Sequence, residues 1–223
     1  MDLKEAMLVR HSVRSYLDKR IEGEVKEKLE AFIRSCNSES GLHMQLITEE
    51  PEAFSSLMAH YGSFRNVRNY IAVAGRDTPD LDEKCGYFGE KAVLYATTLG
   101  LDTCWVALSF SRKKTRCSIE EGEKLALVIA IGYGADKGKM HKSKSLDSVI
   151  RCEGNPPLWF TKGAEAALLA PTAMNQQKFR FTLYGDDKVK AEALFGPYSA
   201  IDLGIVKYHF EIGAGNARFR WVQ

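Results

Sequence analysis

The sequence predicts an α+β protein in which amphipathic helices alternate with short apolar strands. Leu125–Gly134 is a continuous apolar run stopped by glycines, the pattern of a buried strand. Glu22–Arg34 and Leu81–Leu99 instead repeat their apolar residues at helical spacing. A third observation is internal: Leu29–Thr48 aligns without a gap on Ala164–Leu183, and Phe88–Gly100 on Leu203–Gly215, each pair sharing an order of elements. The expectation is one domain over residues 1–223, made of two degenerate halves at about 1–115 and about 140–223.

In chain order, residues 2–9 read as a short helix, followed by a basic stretch in extended or loop form. The helix from Glu22 leads to Gly41 and a strand at His43–Thr48. Pro51 suits the first position of a second helix, expected to run to about His60. Tyr70–Gly75 is a short strand, and the Leu81 helix ends at Gly100 as a glycine cap would end it. Thr103–Leu108 is a buried strand, Ser111–Arg116 a basic loop, and Leu125–Gly134 the main strand. A helix after Pro157 must stop near Ala170, because the residue before Pro171 is turned away from helical angles. Lys178–Tyr184 alternates as a strand, Asp186–Leu194 and Ile201–Gly213 are expected helices, and Ala217–Val222 closes the chain as a strand.

Composition narrows the class. With 45% hydrophobic and 27% charged residues, a chain of 223 residues can bury a sizeable core. A net charge of +2 argues against a nucleic-acid binder, although the basic run Lys137–Lys144 leaves room for a local anion site. Five cysteines, odd in number and without a C-x-x-C pair, suit a reducing compartment and neither a disulfide framework nor a clustered metal site. The first residues do not read as a signal peptide, and no apolar run approaches the ~18 residues of a membrane helix. The expected location is cytoplasmic, with no membrane or nucleic-acid partner.

Two stretches carry the chemistry. In extended backbone, Arg10, Ser12 and Arg14 of Arg10-His11-Ser12-Val13-Arg14 share one face, giving two cationic forks around a hydroxyl. That arrangement suits a phosphate. Lys142 and Lys144 repeat the alternate spacing. The second stretch is Ala170-Pro171-Thr172-Ala173-Met174-Asn175-Gln176-Gln177. Catalytic signatures such as H-E-x-x-H, G-x-S-x-G and a Walker loop are absent from the sequence.

Together these stretches resemble the nitroreductase family of flavoproteins, in which an R-R/H-S-x-R/K segment binds FMN phosphate and an A-P-S-x-x-N-x-Q segment closes over the flavin. Leu99–Trp105 is similar to the family's L-G-L-x-T-C-W, and Leu127–Gly134 to its central strand. The resemblance implies a central, mostly antiparallel sheet flanked by helices. It implies an FMN site built from Arg10, His11, Ser12, Arg14, Lys142, Lys144, Pro171, Thr172, Ala173 and Asn175, with Arg65 donating to the pyrimidine oxygens. No side-chain nucleophile and no metal are needed, because the flavin carries the chemistry. NADH or NADPH would reduce the flavin, and a nitroaromatic, quinone or similar small acceptor would reoxidise it in a ping-pong scheme. Other flavin chemistry and non-catalytic flavin or anion binding are the alternatives. The closing segment usually follows the first helix, where this chain has Ser35–Glu39, a poor match. Its good copy lies in the second half, so the resemblance implies a site complete within one chain.

Overall fold

The computed structural model describes residues 1–55 and 62–222. Five helices and eight strands are described: α1 Leu3–Val9, α2 Gly23–Ser40, β1 Gln45–Ile47, β2 Tyr70–Arg76, α3 Leu81–Thr98, β3 Asp102–Val106, β4 Glu123–Gly132, β5 Ile150–Arg151, α4 Leu158–Ala167, β6 Phe179–Tyr184, β7 Lys188–Ala193, α5 Ser199–Ala214 and β8 Arg220–Val222. The first sheet has the order β1-β2-β4-β3 and is antiparallel throughout. The second has the order β5-β6-β7-β8, with an antiparallel β6–β7 hairpin at its centre and a parallel strand on either side. The expected helix-flanked and mostly antiparallel architecture is therefore present, split into two four-stranded sheets.

The first sheet is covered on both faces, which explains the unbroken apolar run of β4. Leu127, Ile129 and Ile131 join the large core shared with α3, α4 and α5. Val128 and Ala130 join a second cluster with Val13, Tyr16, Phe54, Phe64 and Tyr70 on the opposite face. The basic N-terminal stretch forms part of that second cover. Ser12 bridges Thr103 of β3 in parallel, and Val13 N–H donates to the Thr103 carbonyl at 3.0 Å.

Helix α5 joins the two sheets through α3: α3 packs on β2, β3 and β4 of the first sheet, and α5 packs on β6 and β7 of the second. It is buried on nearly every side, with Ile201–Val206 and Tyr208–Phe210 all enclosed, as a helix apolar all round must be. Its closest neighbour is α3. A methyl group on Gly86 would fall on the carbonyl oxygen of Ile201, and one on Gly204 would fall on the carbonyl oxygen of Glu83. The contact is reciprocal, residue for residue, as at an isologous interface.

Several expected elements differ. Asp186–Leu194 is not a helix: Lys188–Ala193 is strand β7. Its Lys, Ala and Glu content favours helix locally, but Val189 is fully buried and pairs with Leu183 across the hairpin and with Trp221 on the other side. Tertiary pairing outweighs the local preference. Helix α2 runs to Ser40, well past Arg34, and stops at Gly41, whose φ of 73° only glycine adopts freely. The helix expected from Pro51 to His60 is described only as a 3-10 turn at Glu52–Phe54, and residues 56–61 lie outside the described part. Among the described residues no helix is long and apolar enough to cross a membrane.

The α3–α5 crossing yields a direct prediction. Gly86→Ala should destabilise the fold by about 1–3 kcal/mol or more, because the clash is with backbone and cannot be relieved by a rotamer change. Urea unfolding measures it, and an unchanged midpoint would mean that the two helices separate at no cost.

Candidate functional site

Two connected cavities lie between the N-terminal stretch, the end of β3 and the segment Pro171–Gln177. One, of about 640 Å³, is polar and is lined by Arg10, Ser12, Arg14 and Arg65 together with Lys139 and His141. The other, of about 450 Å³, is mainly apolar and is lined by Cys104–Ser109, Pro171–Met174 and the first turn of α5. They share Ser12, Arg14, Ser63, Pro171, Thr172 and Met174, so one elongated ligand could occupy both.

The N-terminal stretch is extended, as its spacing predicts. It is pinned by Arg65 N–H to the Arg14 carbonyl at 2.9 Å, Tyr16 N–H to the Arg65 carbonyl at 3.1 Å and Leu17 N–H to the Tyr133 carbonyl at 2.8 Å. Val13 and Tyr16 fill the core, while Arg10, Ser12 and Arg14 line the polar cavity. Arg10 is only 5% exposed, and its Nε and Nη1 have no hydrogen-bond partner among the described residues. Burial pulls this guanidinium below its ordinary pKa, while Glu90, the nearest opposing charge, pushes it back up. A buried, unpaired guanidinium beside a cavity is a strong anion receptor, since its desolvation cost has already been met.

Glu90 links Arg10 to the helices. It is fully buried and accepts from Trp105 Nε1 at 2.9 Å, while its other oxygen meets His209 Nε2 at 2.8 Å. His209 Nδ1 lies 3.2 Å from the carbonyl of Ala166, which can only accept, so that nitrogen carries a proton. The Glu90–His209 contact must then hold a further proton between its two heavy atoms.

The opposite wall is strained backbone. Met174, Asn175 and Gln177 all have positive φ, at 51°, 52° and 45°. Such residues cost about 1–3 kcal/mol each and persist only where their surroundings over-determine them. Here the surroundings do so. Gln177 is 1% exposed, and its amide accepts from Lys144 N–H at 2.8 Å and donates to the Lys142 carbonyl at 2.9 Å and Asn175 Oδ1 at 2.7 Å. Asn175 Nδ2 donates to the Lys142 carbonyl at 2.9 Å. From below, Asp202 on α5 accepts from Ala173 N–H at 2.9 Å and from Gln176 Nε2 at 2.8 Å.

Of the residues expected from the sequence, Arg10, Ser12, Arg14, Arg65, Pro171, Thr172, Ala173 and Asn175 line one or both cavities. Arg65 stands among the cations of the polar cavity, away from the apolar end. Lys142, Lys144 and His11 line neither. Lys144 Nζ donates to the Gln177 carbonyl at 3.0 Å, and Lys142 contributes its backbone carbonyl, so both brace the wall. His11 packs beside Gly138, and burial together with the neighbouring Arg10 lowers its pKa. From the basic run it is Lys139 and His141 that line the polar cavity, not the alternately spaced Lys142 and Lys144. Asp202 and Tyr198 carried no motif, and Trp105 lines the apolar cavity while also packing against the large core. Among the described residues no group of His, Cys, Asp or Glu could hold a metal ion.

The fold is that of the nitroreductase class. A family model described as "Putative TM nitroreductase" matches residues 2–214, and the chain belongs to that family. Among solved structures it is similar to a chain from Thermotoga maritima MSB8 described as a putative nitroreductase, with 24% identity over 96% of this chain and 83% of that one and a TM-score of 0.64. It is also similar to one from Bacteroides thetaiotaomicron described as a putative NADH dehydrogenase/NAD(P)H nitroreductase, with 22% identity, 66% and 95% coverage and a TM-score of 0.52. A third, from Desulfovibrio desulfuricans, is described as a putative nitroreductase in complex with FMN, with 15% identity, 70% and 99% coverage and a TM-score of 0.50. These likenesses concern the fold. No curated protein matches the chain.

Gln177→Leu should loosen the strained wall, because it leaves Lys144 N–H unpaired at about 1–3 kcal/mol and removes one of the two amide donors to the Lys142 carbonyl. Hydrogen exchange should speed up across 171–177 and leave β4 unchanged. Equal protection of the segment in both proteins would show that the strain is held by something else.

Proposed function

We propose that this protein is an FMN-dependent oxidoreductase, taking hydride from NADH or NADPH and passing it to a small acceptor such as a nitroaromatic or a quinone. The observation that carries the proposal is the buried guanidinium of Arg10, unpaired at the end of a cationic cavity that opens into an apolar one. A phosphate on a flat, largely apolar ring system has that division of chemistry. Arg10, Ser12 and Arg14 would hold the phosphate, with Arg65 and Lys139 adding charge. Thr172 and Asn175 would flank the linker, and Cys104–Ala107, Pro171 and Ala173, which line the apolar cavity, would enclose the ring. A bound FMN would supply reversible hydride exchange, which explains why the cavity needs no nucleophile. The chain's own contribution is to bind, to exclude water from the apolar end and to hold the ring against a rigid wall.

We further propose that the 223 residues form a pseudo-dimer with a single site. Gly23 and Leu158, 135 residues apart, each start a helix that leads to a strand, β1 or β6. The second-half helix stops at Ala167 and releases the Pro171 segment, whereas α2 continues through Ser40 over the corresponding stretch. A second site built from that stretch is closed by helix. Helices α3 and α5 start 118 residues apart, and their reciprocal glycine contacts follow this register, where the sequence alignment at their glycine caps uses 115.

Isothermal titration of FMN into the apo protein tests both proposals. The expected stoichiometry is one FMN per monomeric chain. Arg14→Ala should lose about 1.5–3 kcal/mol of binding, a loss of ten- to more than a hundredfold, with the fold intact. Unchanged affinity in the variant would remove Arg14 from the site, and loss of flavin as a dimer dissociates in analytical ultracentrifugation would mean that the cavity is completed by a second copy.

A further inference from the structure

Among the described residues, Asp202 is the one ionisable carboxyl that lines the apolar cavity, and the flavin reading alone gives it no task. It is 3% exposed, in the first turn of α5. Oδ2 accepts from Gln176 Nε2 at 2.8 Å and from Ala173 N–H at 3.2 Å, whereas Oδ1 accepts only from Ala173 N–H at 2.9 Å. A proton on Oδ1 would therefore leave the braces of the wall in place. Other charged and titratable groups surround it. Arg14, Cys104 and Tyr198 stand around the cavity, and Lys178 lies near Gly196 beside Gln176. On the α3 side, Glu83 pairs with Lys207 at 2.6 Å and Tyr87 donates to Glu211 at 2.5 Å. None of them is bonded to Asp202.

We propose that Asp202 is the proton store of this cavity, taking a proton from water onto Oδ1 when the bound cofactor gains a hydride and giving it to the acceptor when the hydride leaves. The inference rests on the flavin reading above. A hydride from a reduced nicotinamide brings two electrons and one proton, so it adds one negative charge beside a carboxylate that forms no ion pair among the described residues. Uptake of a second proton by Asp202 cancels that charge. A quinone-class acceptor then takes the hydride and the Asp202 proton, two electrons and two protons in all. It leaves as the dihydroxy product and restores the carboxylate.

Burial raises the Asp202 pKa to about 6, with the Gln176 and Ala173 donors opposing it. At neutral pH the resting group is ionised and can accept a proton, and below about 6 it already holds one. Extra uptake on reduction is therefore expected above pH about 6 and lost below it. One extra proton per two electrons changes the reduction equilibrium by a further tenfold per pH unit, or about 30 mV.

The test is the midpoint potential of FMN bound to the whole chain, followed from pH about 5 to about 8 after binding has been established by absorbance. The expected result is a break near pH 6, with the steeper slope on the alkaline side, and its absence in Asp202→Asn. Gln176→Met removes one donor to the carboxylate and should move the break to higher pH, which decides the matter if Asp202→Asn does not retain flavin. A protonated-carboxyl infrared band should appear on reduction of the wild-type protein at neutral pH. Bound flavin with one uniform slope, or a break that survives in Asp202→Asn, would overturn the role of Asp202 alone. Failure to bind flavin at all would overturn the site and this inference together.

Discussion

The approach of α3 to α5 is the constraint on which the other features depend. Two glycines, Gly86 and Gly204, let each helix press its backbone against a carbonyl of the other. This closeness allows Glu90 on α3 to meet His209 on α5 at 2.8 Å with both side chains fully buried. Breaking such a pair by removing one partner leaves an uncompensated buried group, which is far more costly than never having had the pair. From Glu90 the connections run outward to Trp105 at the apolar cavity and to the field around Arg10. From the start of α5, Asp202 reaches Ala173 and Gln176 in the facing wall. One helix pair thus sets the position of both walls of the cleft.

The cleft is built from opposing electrostatic demands. Arg10 is kept in a desolvated position without a hydrogen-bonded counter-ion among the described residues, a local cost that a bound anion would offset. Met174, Asn175 and Gln177 are kept at unfavourable angles by a dense set of amide contacts. Both features hold local cost at a site and offset it elsewhere, in a core whose largest cluster runs through both sheets and all the long helices. A rigid wall of this sort limits reorganisation when charge appears beside it.

Much of this was legible in the sequence where one rule governed a whole element. The run in β4 predicts a doubly covered strand, and alternate Leu127/Ile129/Ile131 and Val128/Ala130 do face two different clusters. The extended spacing of Arg10, Ser12 and Arg14 places all three in the cavity lining. Reading failed where long-range partners decide. β7 has a helix former's composition, yet it pairs on both edges and buries Val189. Lys142 and Lys144 have the spacing of a phosphate pair, but their loop is turned by Gln177, so Lys139 and His141 reach the cleft instead. Asp202 looks like an ordinary acidic residue of a first helical turn. Only the fold brings Ala173 and Gln176 over it.

The central claim is that this cleft holds FMN in a form that exchanges hydride with a nicotinamide. The most direct measurement is the visible absorbance of the FMN-loaded protein under anaerobic conditions, before and after addition of NADH or NADPH. The account predicts a flavin spectrum perturbed from that of free FMN, bleached by at least one of the two nicotinamides and restored by a quinone. A protein that stays colourless after incubation with FMN, or a bound flavin that neither nicotinamide bleaches, would contradict it.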